Sequence, residues 1–354
     1  MSGFRIAFFA PNNSVWISHW ASELIKRGHI VLFLSIFPPT IHLEVDFQVL
    51  PIRWQNNYFK FWLNRKVVEK ILTDFRADVA HAFYSTNYGV LATNQKVCPS
   101  IVTLVGSDLL VEPQRHVFFR LANQFVICHA RVLNPVSPQL AQVLRTDYRV
   151  EAEIEMFPEG IDCQLFFPSH QKSPSPIRLI STRNFEPIYN YAELVTIIPE
   201  LLSDFEDLEI HFFGAGSLWQ EYRNQLNEFS QIVWHGWQPR EKLAEELRLS
   251  DIYLSTSLSD GASSSLLEAM ACGVFPVVSD IPANRDWIEE GENGFLVPKG
   301  DVGQLKQKIS QAITDPELRQ KAAKINQELV LQKASAGIVI SRLEDIYQRL
   351  AVKR

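Results

Sequence analysis

In this chain of 354 residues, the side chains best placed to do chemistry cluster in one segment: Asp260-Gly261-Ala262-Ser263-Ser264-Ser265-Leu266-Leu267-Glu268-Ala269-Met270-Ala271-Cys272-Gly273. An apolar run, Ile252–Ser255, precedes it and another, Val274–Val278, follows. The pattern predicts a strand, a glycine- and serine-rich turn that opens a helix, and a return to the sheet. Backbone N–H groups at a helix start have no intrahelical partner, and the helix dipole adds positive potential there. The turn therefore suits an anion such as a diphosphate. Asp260 and Glu268 put a carboxylate on either side of those amides. A structural reading competes. Ser265-Leu266-Leu267-Glu268 has the spacing of a capping box, in which the serine and glutamate satisfy each other's backbone donors. That reading leaves the Asp260-Gly261 loop and the length of the serine run unexplained.

Other chemistries find no support. There is no D-x-D for a metal-bound diphosphate, no H-E-x-x-H and no G-x-S-x-G. Gly214-Ala215-Gly216 lacks the third glycine of a dinucleotide fingerprint. His81, inside Val79-Ala80-His81-Ala82-Phe83, reads as a packed or cleft-lining histidine more than a base.

The elements that must hold these residues alternate. Strand-like runs at Arg5–Ala10, Ile30–Ile36, Asp78–Phe83, Ser100–Val105 and Val132–Val136 fill the first half, with a helical pattern over Ser14–Arg27. Ile177–Ser181, Leu208–Phe213, Ile232–His235, Ile252–Ser255, Val274–Val278 and Phe295–Val297 fill the second, separated by helical segments such as Arg240–Leu249. Continuously apolar strands with helices between them imply parallel sheets covered on both faces. The stretch from Phe166 to Pro176 is rich in proline and serine and reads as a linker. Domains are expected at 1–165 and 166–337, facing a central cleft. An amphipathic helix over 338–354, with Ile338, Ile340, Leu343, Ile346, Tyr347 and Leu350 in helical register, is expected to return to the first domain.

Composition narrows the class further. Lys+Arg total 34 and Asp+Glu 40, a net charge of −6, so nucleic-acid binding driven by net charge is not expected. Hydrophobic residues at 46% and charged residues at 21% are ordinary for a globular chain. Cys98, Cys128, Cys163 and Cys272 lie far apart, as in a reduced cytosolic protein. No apolar stretch is long enough to span a bilayer, and the apolar start at Arg5–Ala10 is too short for a signal peptide. The expected location is cytoplasmic, with one reservation. Arg53-Trp54, Tyr58-Phe59-Lys60-Phe61-Trp62, Arg65-Lys66 and Lys70 would give a helix from Tyr58 to Thr73 an aromatic stripe beside a basic one. Such a helix is either a core helix with solvated lysines or a peripheral contact with an anionic membrane through 53–70.

The Asp260–Glu268 segment and the residues after it resemble the E-x7-E region of retaining glycosyltransferases of the GT-B fold, family GT4, here as D-x7-E. Gly294-Phe295-Leu296-Val297-Pro298 resembles the family's "NGFLV" strand. Phe157-Pro158-Glu159-Gly160-Ile161-Asp162 with Phe167-Pro168 resembles its domain-junction segment. Phe213-Gly214-Ala215-Gly216, Arg27-Gly28-His29-Ile30-Val31 and Ile346-Tyr347 are similar as well. The resemblance implies an α/β GT-B fold of two Rossmann-like, doubly wound domains, the second holding a nucleotide-sugar and the first an acceptor, glycan or lipid-linked. Glu268 would hold the ribose hydroxyls. Asp260 would face the transferred sugar, and the amides of Ser264, Ser265, Leu266 and Leu267 would meet the diphosphate, with Gly261 and Gly214 beside the donor. Arg183 would stabilise the leaving group and Asp108 would sit on the acceptor side. No metal or other cofactor is expected.

The sequence departs from the family pattern at three places. Ile188 stands where a lysine is usual, which leaves Asn190 or a shifted side chain to take part of that load. Asn12-Asn13-Ser14 replaces a Gly-Gly loop, putting Asn13 near the donor, and Val105 replaces a histidine before Gly106-Ser107-Asp108. These departures also fit a different class, a non-catalytic relative that binds nucleotide-sugar or glycan as a partner subunit. A sugar epimerase or phosphorylase of the same fold is a weaker third reading.

Overall fold

The computed structural model describes residues 3–11, 14–38, 46–50, 60–169 and 176–352. The chain forms two compact units. The first comprises Met1–Gly160 together with Ala336–Arg354, and the second Ile161–Ser335.

The first unit is built on a parallel sheet of seven strands: β1 (Arg5–Phe9), β2 (Ile30–Ser35), β3 (Asp46–Val49), β4 (Val79–Phe83), β5 (Ser100–Leu104), β6 (Val132–Pro135) and β7 (Glu153–Ile154), in the order β3-β2-β1-β4-β5-β6-β7. Five of these follow the expected apolar runs. β3 and β7 lie at the two edges, where strands need little apolar sequence, and neither was expected. The helix Val15–Lys26 puts Ile17, Trp20, Ala21 and Leu24 on one buried face. It ends at Gly28, whose φ of +90° suits glycine. There the Gly28 and His29 amides donate to Ile25 and Leu24 in a Schellman arrangement.

The closing helix, Ala336–Val352, belongs to this unit. Val339, Ile340, Leu343, Ile346, Tyr347 and Leu350 pack into one core with Ile6, Phe8, Trp20 and Phe157. The Tyr347 hydroxyl lies 2.7 Å from His81 Nδ1, and Thr103 Oγ1 lies 2.8 Å from Nε2. His81 is thus fully buried, and burial lowers its pKa to about 3. It is a packed histidine.

The second unit carries six parallel strands: β8 (Ile177–Ser181), β9 (Leu208–Phe213), β10 (Ile232–Gly236), β11 (Ile252–Ser255), β12 (Phe275–Ser279) and β13 (Phe295–Val297). Their order is β10-β9-β8-β11-β12-β13, the doubly wound order of a dinucleotide fold. One apolar cluster around Ile198, Phe212 and Ile309 and another around Tyr253, Met270 and Val330 form its core.

The chain passes between units at Gly160–Ile161 and again at Ser335–Ala336, where Ile161 pairs with Ser335. This differs from the expected division at 165/166 and 337/338. Ile161 and Phe166 are fully buried in the second core, with Leu165 packed against it, so the chain commits to that unit before the proline-rich stretch begins. Residues 170–175 of that stretch lie outside the described residues.

Candidate active site

The strand order of the second sheet reverses between β8 and β11, and the residues singled out above leave the carboxyl ends of those two strands. An open sheet parts at such a switch point and receives its ligand there. Arg183 lies just past β8. Asp260 and the turn into the helix Ser264–Ala271 lie just past β11.

The two meet directly. Arg183 Nη2 donates to Asp260 Oδ2 at 2.6 Å, and Nη1 donates to Ser265 Oγ at 2.7 Å. The guanidinium lies over the Tyr189 ring, 4.3 Å from its centroid. Its main chain is held as firmly: Tyr191 Oη donates to the Arg183 carbonyl at 2.7 Å. Gly214, with φ +101°, lets β9's exit pass so close to that carbonyl that a Cβ would stand 2.8 Å from it. The side chains of Arg183 and Asp260 are only 12% and 14% exposed. Burial alone would lower the arginine's pKa, but the carboxylate of Asp260, with Tyr253, Tyr189 and Tyr191 around it, raises it above its ordinary value. The arginine is a fixed charge, and its buried Nε has no acceptor among the described residues.

The helix start is equally open to a ligand. Ser263 is the N-cap but makes no capping bond to the backbone. Its hydroxyl lies 2.8 Å from Asn284 Oδ1 and 3.2 Å from Asp260 Oδ2. The amides of Ser265 and Leu266, which a cap would satisfy, are thus not taken by it. Ser265 Oγ accepts from both Arg183 and Tyr253 Oη, the latter at 2.9 Å, which leaves its own O–H to donate. Ser264 and Ser265 are half-buried, while Leu266 and Leu267 point into the core. Gly261 is half-buried in the turn beside Asp260.

The capping box is not formed. The helix begins one residue before Ser265, and Glu268 faces a different partner. Arg240 Nη2, from the helix Arg240–Leu249, donates to Glu268 Oε1 at 2.9 Å. Arg240 in turn lies over Phe166, and its buried Nε also lacks an acceptor among the described residues. Burial raises the Glu268 carboxyl above the usual range, with Arg240 and Arg183 pulling the other way.

Other expected residues are placed differently. The Asn190 side chain donates to Glu193, and its backbone turns through a left-handed φ of 48°; the amide is spent on the turn and does not replace a cation. Ile188 is 43% exposed. Asp108 is fully buried. It accepts from the Ser85 and Gly106 amides at 3.0 and 2.9 Å, and burial raises its pKa. As placed, it braces the loop after β5 and faces no solvent. Asn13 lies outside the described residues. Sequence reasoning missed Arg240, Tyr189 and Tyr253. The tyrosines stand beside recognised residues, but nothing in the sequence couples Arg240 to Glu268 across the fold.

Both units resemble known proteins. The family described as Glycosyl transferases group 1 matches residues 164–329, and the one described as Glycosyl transferase 4-like matches residues 5–134. A N-acetyl-alpha-D-glucosaminyl L-malate synthase of Bacillus anthracis is 23% identical, over 92% of this chain and 90% of its own length. A phosphatidyl-myo-inositol mannosyltransferase of Mycolicibacterium smegmatis is 29% identical, over 46% of this chain and 43% of its own length. Among solved structures, a sucrose-phosphate synthase from Thermosynechococcus elongatus superposes with a TM-score of 0.83 at 15% identity, covering 99% of this chain and 100% of that one. Anabaena HepE, solved with UDP and glucose, superposes with 0.76 at 16% identity over 98% and 100%. These two likenesses concern the fold. Fold and family matches together define a glycosyltransferase. Both matched segments are GT4-like glycosyltransferase domains, and the fold is GT-B.

Proposed function

We propose that this glycosyltransferase moves a sugar from a nucleotide-diphosphate donor to an acceptor hydroxyl on a glycan or lipid-linked glycan, with retention of configuration and without a metal ion. The observation that carries the donor reading is the grouping at the β8–β11 switch point. A buried guanidinium with an unspent Nε stands against a helix start whose amides no cap satisfies, flanked by Asp260 and Glu268. A diphosphate supplies what those donors lack. Glu268 would take the ribose hydroxyls, a role its two oxygens fit once Arg240 shares them.

In the transfer step the bond from the sugar's anomeric carbon to the diphosphate oxygen breaks. Arg183, the Ser265 hydroxyl and the helix start offset the charge that develops on that oxygen. The acceptor oxygen bonds to the anomeric carbon on the same face, and its proton passes to the departing diphosphate oxygen. With cationic and amide donors already in place, a metal has no task in this scheme; it would be required in a fold that relied on a D-x-D pair.

The first unit would take the acceptor. No described helix is long and apolar enough to cross a membrane. A lipid-linked acceptor would be met from the surface, where Leu63, Lys66, Val67 and Lys70 are exposed on the helices Lys60–Leu63 and Arg65–Phe75. Trp62 has another task, packing edge-on to Phe125 at 4.0 Å. Arg53, Trp54, Tyr58 and Phe59 of the expected contact lie outside the described residues.

The test is a screen of UDP-, GDP- and ADP-sugars by thermal shift, followed by transfer assays with the donor that binds, in the presence of EDTA. NMR of the product reports the anomeric configuration. Inversion would remove the same-face mechanism, abolition of activity by EDTA that Mg2+ or Mn2+ restores would remove metal independence, and failure of every nucleotide to bind would remove the donor assignment.

A further inference from the structure

At the β9–β10 edge of the second sheet, three ligand-type side chains converge that the sugar-transfer reading does not use. His211 comes from β9, His235 from β10 and Glu246 from the helix Arg240–Leu249. We propose that these three bind a transition-metal ion of the zinc class, through His211 Nδ1, His235 Nε2 and the Glu246 carboxylate.

The spacing fits. His211 Nδ1 lies 3.0 Å from His235 Nε2 and 3.8 Å from Glu246 Oε2, and the three ligand atoms lie within 4.8 Å of one another. Ligands about 2.0–2.1 Å from a tetrahedral zinc ion are spaced roughly 3.3 Å apart, so small adjustments close the set around one ion. Two nitrogens and one carboxylate oxygen select zinc, cobalt or nickel over magnesium or calcium.

The surroundings orient the imidazoles for this use. His211 Nε2 lies 3.3 Å from Glu209 Oε2, a carboxylate that can only accept. The proton of His211 is therefore placed on Nε2, and Nδ1 turns its lone pair toward His235 and Glu246. A carboxylate behind a histidine is the arrangement that fixes the tautomer and sharpens the basicity of a metal ligand. His235 is fixed as well, its ring stacked on Phe213 with centroids 4.0 Å apart and planes 10° from parallel. Burial, the largest influence on each ring, holds both histidines below their ordinary pKa, so the ligating neutral forms are present at neutral pH.

Two cations face the cluster. Lys242 Nζ lies 2.9 Å from Glu246 Oε1, and Arg178, on β8, bonds Glu209 at 3.0 Å and stands 3.9 Å from Glu246 Oε2. Lys242 is a half-exposed side chain whose hold on the carboxylate is weak, and it yields to a divalent ion. Arg178 orients Glu209 and remains in place. The ion would clip β9 and β10 to the helix whose first residue, Arg240, holds Glu268.

The experiment uses the untagged full chain, stripped with a chelator and titrated with Co2+ while the visible d–d absorption is followed, then competed with Zn2+. One equivalent of Co2+ should give a saturable tetrahedral-type band that Zn2+ removes, and Zn2+ should raise the melting temperature. His235→Gln and Glu246→Gln should abolish the band, Glu209→Gln should weaken binding about tenfold, and Lys242→Ala should tighten it. His235 is only partly buried, so its variant keeps the test decisive if Glu246→Gln does not fold. A wild-type chain without a saturable band overturns the proposal. So does a band that survives His235→Gln in folded protein.

Discussion

The ion pair between Arg183 and Asp260 makes a prediction with a definite sign. The carboxylate engages the cation that a diphosphate would need, with 2.6 Å between Nη2 and Oδ2 and both side chains largely out of solvent. A phosphate seated on the same guanidinium would place its charge about 5 Å from Asp260. At an effective dielectric near 20, two unit charges at that separation repel by about 3 kcal/mol; salt and partial solvation reduce this to about 1–2 kcal/mol.

Asp260→Asn removes the repulsion, and its amide oxygen still accepts from Arg183 and Ser263. The variant should therefore bind a bare nucleoside diphosphate about five- to thirtyfold more tightly than wild type. The unliganded variant should also melt earlier, because Arg183 loses a charge-assisted bond worth about 1.5–3 kcal/mol. The ligand should then restore more stability than it adds to wild type. Turnover should fall in the same variant, since the contact with the transferred sugar is lost. Calorimetry with whichever of UDP, GDP or ADP the wild type binds, alongside melting curves, reads both halves. If Asp260→Asn binds the diphosphate equally or more weakly, Arg183 is not the group that the anion reaches, and the mechanism loses its leaving-group cation.

Glu268→Gln should weaken diphosphate-nucleoside binding by about 1–3 kcal/mol, measured by calorimetry. Because burial raises the Glu268 pKa, wild-type affinity should decline on acidification at pH values above the ordinary glutamate range, while the glutamine variant should stay flat there. His81 gives a stability profile. It is neutral in the fold to about pH 3 but ionises near 6.5 when unfolded, so the stability it permits is intact above pH 6.5 and is lost as pH falls toward 3. Denaturant melts should show roughly 2 kcal/mol lost from this group between pH 7 and pH 5, and His81→Gln should remove that component; an unchanged profile would deny the buried neutral histidine. Deleting the chain after Ser335 strips six buried side chains from the first core, each worth about 1.5–3 kcal/mol, which together rival the whole stability of a domain. Insoluble product is expected, and a soluble, cooperatively folding one would contradict the assignment of that helix to the first core.

The sheet interiors were legible in the sequence because buried parallel strands need continuous apolar runs. Ile177–Ser181, Leu208–Phe213 and Ile252–Ser255 fall where the runs fall. Edge strands carry no such demand, and Asp46–Val49 has one apolar side chain at each alternate position and little burial. The approach of Arg183 to the Ser265 helix was implied by the resemblance alone, and the strand order explains it, since both leave neighbouring strand ends. The partners of the carboxylates did not follow. A Glu three residues after a Ser predicts a capping box on local grounds, whereas tertiary packing supplied Arg240 from another helix and freed the serine for the arginine. Asp108 illustrates the same limit: a carboxylate in a loop looks chemical in sequence, and only burial reveals that it organises the backbone.

That the first unit is assembled from segments on both sides of the second has a consequence for biosynthesis. A ribosome emits the seven strands early, then the whole of Ile161–Ser335, and only afterwards the helix that completes the first core. At 5–20 residues per second the nascent sheet waits roughly 10–35 s with an uncovered greasy flank. Chaperone capture during that interval, and sensitivity to a premature stop codon within the helix Ala336–Val352, are built into the order of the polypeptide.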